Sequence, residues 1–128
     1  MPRMEHAYIG TSGVPASRLC MGTMTFGGQA DEAESHRMMD RALAAGIDFF
    51  DTANMYTAGR SEAIIGRWLK AEPGRRQRIV LASKVRYPVG EDASTVGLSR
   101  RNIVRQLDAT LQRLQTDHLD LYYLHAPD

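Results

Sequence analysis

Four short apolar runs, at residues 19–24, 47–50, 79–83 and 119–124, alternate with three stretches whose apolar residues recur at helical spacing. This alternation constrains the fold more than any other feature. A strand, a helix packed back across it and a second strand running the same way make a right-handed βαβ unit, and several in succession make a parallel sheet. Each helix carries its own boundary signals. Asp31 with Glu34 three residues on has the capping-box pattern, Met38, Met39, Ala42 and Leu43 form the apolar face, and Gly46 is the stop. Ser61 is the expected N-cap of the second helix, with Ile64, Ile65, Trp68 and Leu69 facing inward and Pro73-Gly74 ending it. Ser99 caps the third, which sets Ile103, Val104, Leu107, Leu111 and Leu114 on one side. Ahead of them, residues 5–9 and 16–19 flank Gly10-Thr11-Ser12-Gly13 and read as a hairpin.

Charge and cysteine usage narrow the function classes. Sixteen basic against fifteen acidic side chains give a formal charge of +1, so there is no electrostatic footprint for nucleic acid or an anionic membrane. Arg75-Arg76-Gln77-Arg78 lies between a helix and a strand and reads as a solvated loop. A single cysteine, Cys20, excludes an intrachain disulfide and argues against a cysteine-based zinc site. His6, His36 and His118 have no partners at metal-ligand spacing and read as surface or helix-end residues, so no metal is expected. The polar start, Met1-Pro2-Arg3-Met4-Glu5-His6, leads into no apolar stretch, and no run approaches the roughly 18 residues of a membrane span. The expected location is the cytoplasm.

The chemistry is expected at the ends of the strands. Asp51, Lys84 and His125 each end a strand run, and Tyr56 lies in the loop just past the second. In a (β/α) barrel the C-terminal strand ends carry the active site. A tyrosine can pass a proton to a carbonyl oxygen, an adjacent ammonium favours its phenolate, and a carboxylate keeps that ammonium charged and oriented. Singly, each residue has a plainer reading: Asp51 as a cap, Tyr56 as a surface aromatic, Lys84 as a residue snorkelling from the sheet edge. Four of them at corresponding ends of three successive strands favour a site. Gly22, Gly27 and Gly28 do not spell G-x-G-x-x-G, so no dinucleotide fingerprint of the Rossmann type is present.

These residues sit in a longer pattern. Ala45-Gly46-Ile47-Asp48-Phe49-Phe50-Asp51-Thr52-Ala53-Asn54-Met55-Tyr56, followed by Ser61-Glu62-Ala63-Ile64-Ile65-Gly66, resembles the first signature of the aldo-keto reductases. Met21-Gly22-Thr23-Met24-Thr25-Phe26-Gly27 resembles their first barrel strand, Ala82-Ser83-Lys84 the third, and residues 117–125 the fourth. The resemblance implies an α/β fold of the (β/α)8 TIM-barrel family, of which this chain supplies an N-terminal hairpin, roughly four strands and three helices. It makes residues 1–128 the N-terminal part of a single barrel domain with no second domain.

The resemblance also implies an NAD(P)H-dependent oxidoreductase that reduces aldehydes or ketones to alcohols. Tyr56 would be the general acid, assisted by Lys84 and Asp51, with His125 orienting the substrate oxygen. Gly22, Thr23, Met24 and Asp51 match positions at the nicotinamide end of bound NADPH. Glu62 is a regular element of the same signature and is expected to be structural, a negative charge at a helix N-terminus being favourable. A complete barrel needs roughly 200 residues or more. Four strands leave two open edges and an uncovered apolar face, so the chain is expected to self-associate or to pair with a complementary barrel segment. Two alternatives follow from the same resemblance: a redox-sensing nucleotide-binding subunit of this fold, or a truncated fragment without catalysis.

Overall fold

The structure, a computed structural model, describes residues 3–128; Met1 and Pro2, the first residues of the polar N-terminal stretch, lie outside the described residues. Two strands, β1 (His6–Tyr8) and β2 (Pro15–Ser17), form the expected antiparallel hairpin. The chain then alternates through β3 (Cys20–Gly22), α1 (Glu32–Ala44), β4 (Phe49–Asp51), α2 (Arg60–Ala71), β5 (Val80–Val85), α3 (Arg100–Leu114) and β6 (Leu121–Leu124). The last four strands form one parallel sheet in the order β3-β4-β5-β6, each strand beside its neighbour in sequence. Such an arc of βα units is part of a (β/α)8 barrel. The strands do not coincide with the apolar runs that announce them: β3, β4 and β6 are shorter than the runs 19–24, 47–50 and 119–124, whereas β5 continues past residue 83 to Val85.

The register sorts side chains between two faces, because successive residues of a strand point opposite ways. Phe50 and Leu81 point outward into the main core beneath the helices, where they meet Met39, Ile65, Trp68 and Leu114, all 2% exposed or less. Phe50 and Trp68 pack with ring centroids 5.6 Å apart, and the indole N–H donates to Asp40 at 2.8 Å. Burying two such rings contributes several kcal/mol by area alone.

Local details depart from the sequence reading for identifiable reasons. Asp31 accepts from the Glu34 backbone as a cap should, but the Glu34 side chain turns to Arg37 instead of completing the box. Met38 lies on the solvent side of α1 and only Met39 is in the core; Val104 of α3 is likewise half exposed. In α3 the most buried stripe is Asn102, Gln106, Thr110 and Leu114, one turn apart, leaving Ile103, Leu107 and Leu111 only partly covered. Ser61 does not cap α2. The cap position is Gly59, at φ 91°, and Ser61 is buried in the first turn, two residues on.

The histidine and arginine readings also change. His36 is neither at a helix end nor free at the surface, since its Nε2 meets the Ile64 carbonyl at 2.9 Å and ties α1 to α2. The basic stretch is only partly a solvated loop. Arg76 is 9% exposed, with its guanidinium donating to Asp120 at 2.9 Å and to the carbonyls of Ile79 and His118, while Arg75 lies over the Trp68 ring. Asp120 also accepts from the Leu81 backbone at 2.8 Å, so this pair fastens the start of β6 to β5. Among the described residues no helix is long and apolar enough to cross a membrane.

Glu62 is fully buried in the first turn of α2. One carboxylate oxygen accepts from Ser83 of β5 at 2.7 Å and the other from the Arg113 guanidinium of α3 at 2.8 Å. It therefore joins a strand and two helices directly behind Lys84, which is next to Ser83 and points to the opposite face.

Candidate functional site

Asp51 ends β4 and Lys84 lies one residue before the end of β5, so both project from the inner face at the C-terminal rim. The Lys84 ammonium donates to Asp51 Oδ2 at 2.7 Å, to the Thr52 carbonyl at 2.9 Å and to the Tyr56 hydroxyl at 3.1 Å. Both members of the ion pair are mostly shielded, with side-chain exposures of 13% and 26%. Charge-assisted bonds of this length in a partly dry site are strong and directional. Three of the four residues expected at the site are thus in direct contact.

His125, the fourth, follows β6, and its backbone N–H donates to the Val85 carbonyl at 3.0 Å. Its ring lies edge-on to Tyr56, with centroids 6.0 Å apart. Desolvation, and after it the nearby Lys84 charge, hold the imidazole below its ordinary value of 6.5 against the opposing pull of Asp51. At pH 7 it is therefore neutral and can donate through one ring nitrogen only. Asp51, Lys84 and His125 also line a depression of about 440 Å³ on the inner face, with Cys20, Phe49, Tyr123 and Leu124 supplying its apolar wall. Cys20 is pushed up to about 11, by desolvation first and Asp51 second, so it stays a neutral thiol and not a nucleophile.

Tyr56 is delivered by an unusual backbone. Thr57 and Ala58, immediately after it, have φ of 49° and 54°, and Gly59 follows at 91°. Left-handed residues with a Cβ cost roughly 1–2 kcal/mol each, so other contacts must hold this turn. Thr57 Oγ1 donates to the Phe26 carbonyl at 2.8 Å, securing the turn to the loop after β3. Ala58 is exposed and its strain is relieved by glycine. Ala58→Gly is expected to stabilise the chain by about 0.5–1 kcal/mol, net of the added freedom of the unfolded chain. A denaturant midpoint at or below that of the parent would contradict this.

The residues expected at a nicotinamide divide into two kinds. Gly22 pairs in register with Asp51 and has open space where a Cβ would project, and Met24 is 67% exposed. The bare backbone of Gly22 beside Asp51, with the exposed Met24 thioether two residues on, fits a flat, weakly polar ring. The Thr23 side chain, in contrast, is fully buried: its hydroxyl donates to the Asp51 carbonyl at 2.9 Å and meets Ser61, which reaches Thr52 in turn. Thr23 steadies the end of β4 and has no side-chain group to offer a ligand. Sequence reasoning missed the Thr52 carbonyl, which no side-chain pattern could reveal, and the Thr23–Ser61–Thr52 chain of hydroxyls. The run of small hydroxyl residues at the strand ends was the available signal.

Residues 18–128 match the model described as the aldo/keto reductase family. The uncharacterized oxidoreductase YrpG of Bacillus subtilis (strain 168) is 47% identical over 133 residues, a match covering 98% of this chain and 41% of that protein. Protein tas of Escherichia coli (strain K12) is 41% identical over 135 residues, covering 97% and 39% respectively. Among solved structures, the holo form of aldo-keto reductase AKR11C1 from Bacillus halodurans superposes with a TM-score of 0.83 at 40% identity, over 95% of this chain and 40% of that one. The chain therefore spans about two fifths of the length of these relatives.

Proposed function

The chain belongs to the aldo/keto reductase family, and from that premise we propose that it carries the acid-base residues of an NADPH-dependent reduction of aldehydes or ketones to alcohols. One observation supports this reading above the others: a single ammonium, Lys84, bonded to both the Asp51 carboxylate and the Tyr56 hydroxyl.

Lys84 donates to the Tyr56 oxygen, which leaves the phenol's own proton free to face a substrate carbonyl. As that proton moves to the carbonyl oxygen, negative charge builds on the phenol oxygen, and the adjacent ammonium stabilises it. Asp51 offsets the charge of Lys84 before the reaction and fixes its direction. NADPH, when bound, supplies the hydride that reaches the carbonyl carbon. His125, neutral at pH 7, donates an N–H to the same carbonyl oxygen and orients it without competing as the acid. Tyr56 regains its proton from solvent once the alcohol leaves. Gly22, Met24 and Asp51 would hold the nicotinamide end of the cofactor, with Thr23 contributing through its backbone.

In this reading the substrate is a small carbonyl compound, with no nucleic acid or membrane as partner. The protein acts in the cytoplasm. The last strand supports a further partner: Tyr123 on the inner face is 40% exposed and Leu124 on the opposite face 60%, so the 128-residue chain self-associates or pairs with a complementary barrel segment.

The test is isotopic. The full-length protein is supplied with NADPH deuterated at the transferable position and an aromatic aldehyde. The expected result is an alcohol labelled on its carbinol carbon, formed one-to-one with cofactor oxidation. Oxidation of the cofactor without label in the alcohol, or no reaction with any aldehyde or ketone tried, removes the proposal.

A further inference from the structure

Within that reading of the site, we propose that Tyr87 is the positioning residue for His125, holding the imidazole by the packing of its ring in place of the hydrogen bond that usually does so. A histidine that works through one ring nitrogen is ordinarily oriented by an acceptor on the other. Here Nδ1 of His125 is buried and, among the described residues, has no hydrogen-bond partner. The backbone bond to Val85 fixes the Cα and leaves the ring free to turn. Two aromatic rings restrain it. Tyr56 lies at 6.0 Å with the planes 83° apart, and Tyr87 lies closer, at 5.0 Å and 75°. Both geometries fall in the attractive edge-to-face range for aromatic pairs.

Tyr87 is itself secured from behind. The Arg86 guanidinium lies over its ring, 5.2 Å from the centroid. Arg86 donates to the Pro127 carbonyl at 3.0 Å and sits 3.6 Å from Asp128, which accepts from the Leu98 backbone at 2.7 Å. The loop after β5 and the loop after β6, which His125 opens, are thereby fastened to one another. The titratable groups around the imidazole are Lys84 from β5, Asp51 from β4, Tyr56 from the turn after it and Tyr87; Arg86 and Asp128 lie on the flanking loops.

The experiment follows the four histidines of the isotopically labelled 128-residue chain by NMR titration, in the parent, Tyr87→Ala and Tyr87→Phe. In Tyr87→Ala the lost ring uncovers the imidazole, so the His125 pKa is expected to rise toward 6.5 and its ring protons to lose their aromatic shielding. Tyr87→Phe keeps the ring and loses only the hydroxyl, and is expected to restore parent values for both. His6, His36 and His118 stay unchanged. If Tyr87→Ala disturbs the amide spectrum generally, Tyr87→Leu, which fills the space without a ring, keeps the imidazole covered and is expected to lose the aromatic shielding alone. A His125 titration and shift identical to the parent in either variant with an intact fold, or a phenylalanine that fails to restore them, overturns the proposal. These signals need neither cofactor nor substrate, so a failure here and a failure of carbonyl reduction are separate results.

Discussion

Tyr56→Phe is expected to lower the rate of carbonyl reduction by about 10²–10⁴-fold, the usual contribution of a positioned general acid, and to leave the affinity for NADPH and the fold unchanged. The substitution removes one oxygen. That oxygen accepts from Lys84 at 3.1 Å and, in the proposed reaction, carries the proton that goes to the carbonyl. The phenyl ring keeps its edge-on contact with His125 and its place near the Lys84 ammonium, so little else shifts. The signature is a fall in kcat with KM nearly constant, because the interaction is realised in the transition state and not in substrate binding. Measurement requires the full-length protein and a steady-state assay of cofactor oxidation. Turnover within threefold of the parent would take the acid role from Tyr56.

The largest loss of stability is expected from Gly66→Ala. A Cβ on Gly66 would come 2.1 Å from the Arg113 carbonyl oxygen and about 3 Å from two Leu114 backbone atoms. These are main-chain atoms of the last turn of α3, and no rotamer change can clear them. The helices must move apart, which strains the Arg113–Glu62 pair one turn away on α2. Overpacking typically costs 1–3 kcal/mol, and separating a buried ion pair can add a similar amount. The expected destabilisation is about 3 kcal/mol or more, large beside the marginal stability of a domain of this size. Urea denaturation followed by tryptophan fluorescence measures it directly, since Trp68 lies on the same helix. A midpoint corresponding to less than about 1 kcal/mol of loss would show that α2 and α3 are not as close as described.

Much of this architecture was readable from pattern. Strand and helix order, the hairpin, the glycine stops and the convergence of Asp51, Tyr56 and Lys84 all follow from periodicity and family signature, because these features are encoded locally or by position along a repeated βα unit. The misreadings share a cause. Ser61 has the chemistry of a cap, yet tertiary contacts with Thr23 and Thr52 recruit its hydroxyl into the interior. Met38 and Met39 are adjacent, and only the helix's rotation against the sheet decides which is buried. Arg76 looks like loop charge until Asp120, 44 residues on, comes alongside it. The fastening of Tyr87 by Arg86, Pro127 and Asp128 joins two loops of irregular backbone, where no period exists to read. Contacts between distant segments were invisible wherever the side chain had an equally good local use.

Lys84 illustrates what such long-range geometry decides. An ammonium owns three hydrogens, and the three acceptors around it, Asp51, the Thr52 carbonyl and Tyr56, account for all of them. Its coordination shell is full, with no vacancy for an arriving molecule. The amine thus behaves as a fixed keystone wedged under the phenol, and traffic between it and anything outside has a single gate, the oxygen of Tyr56.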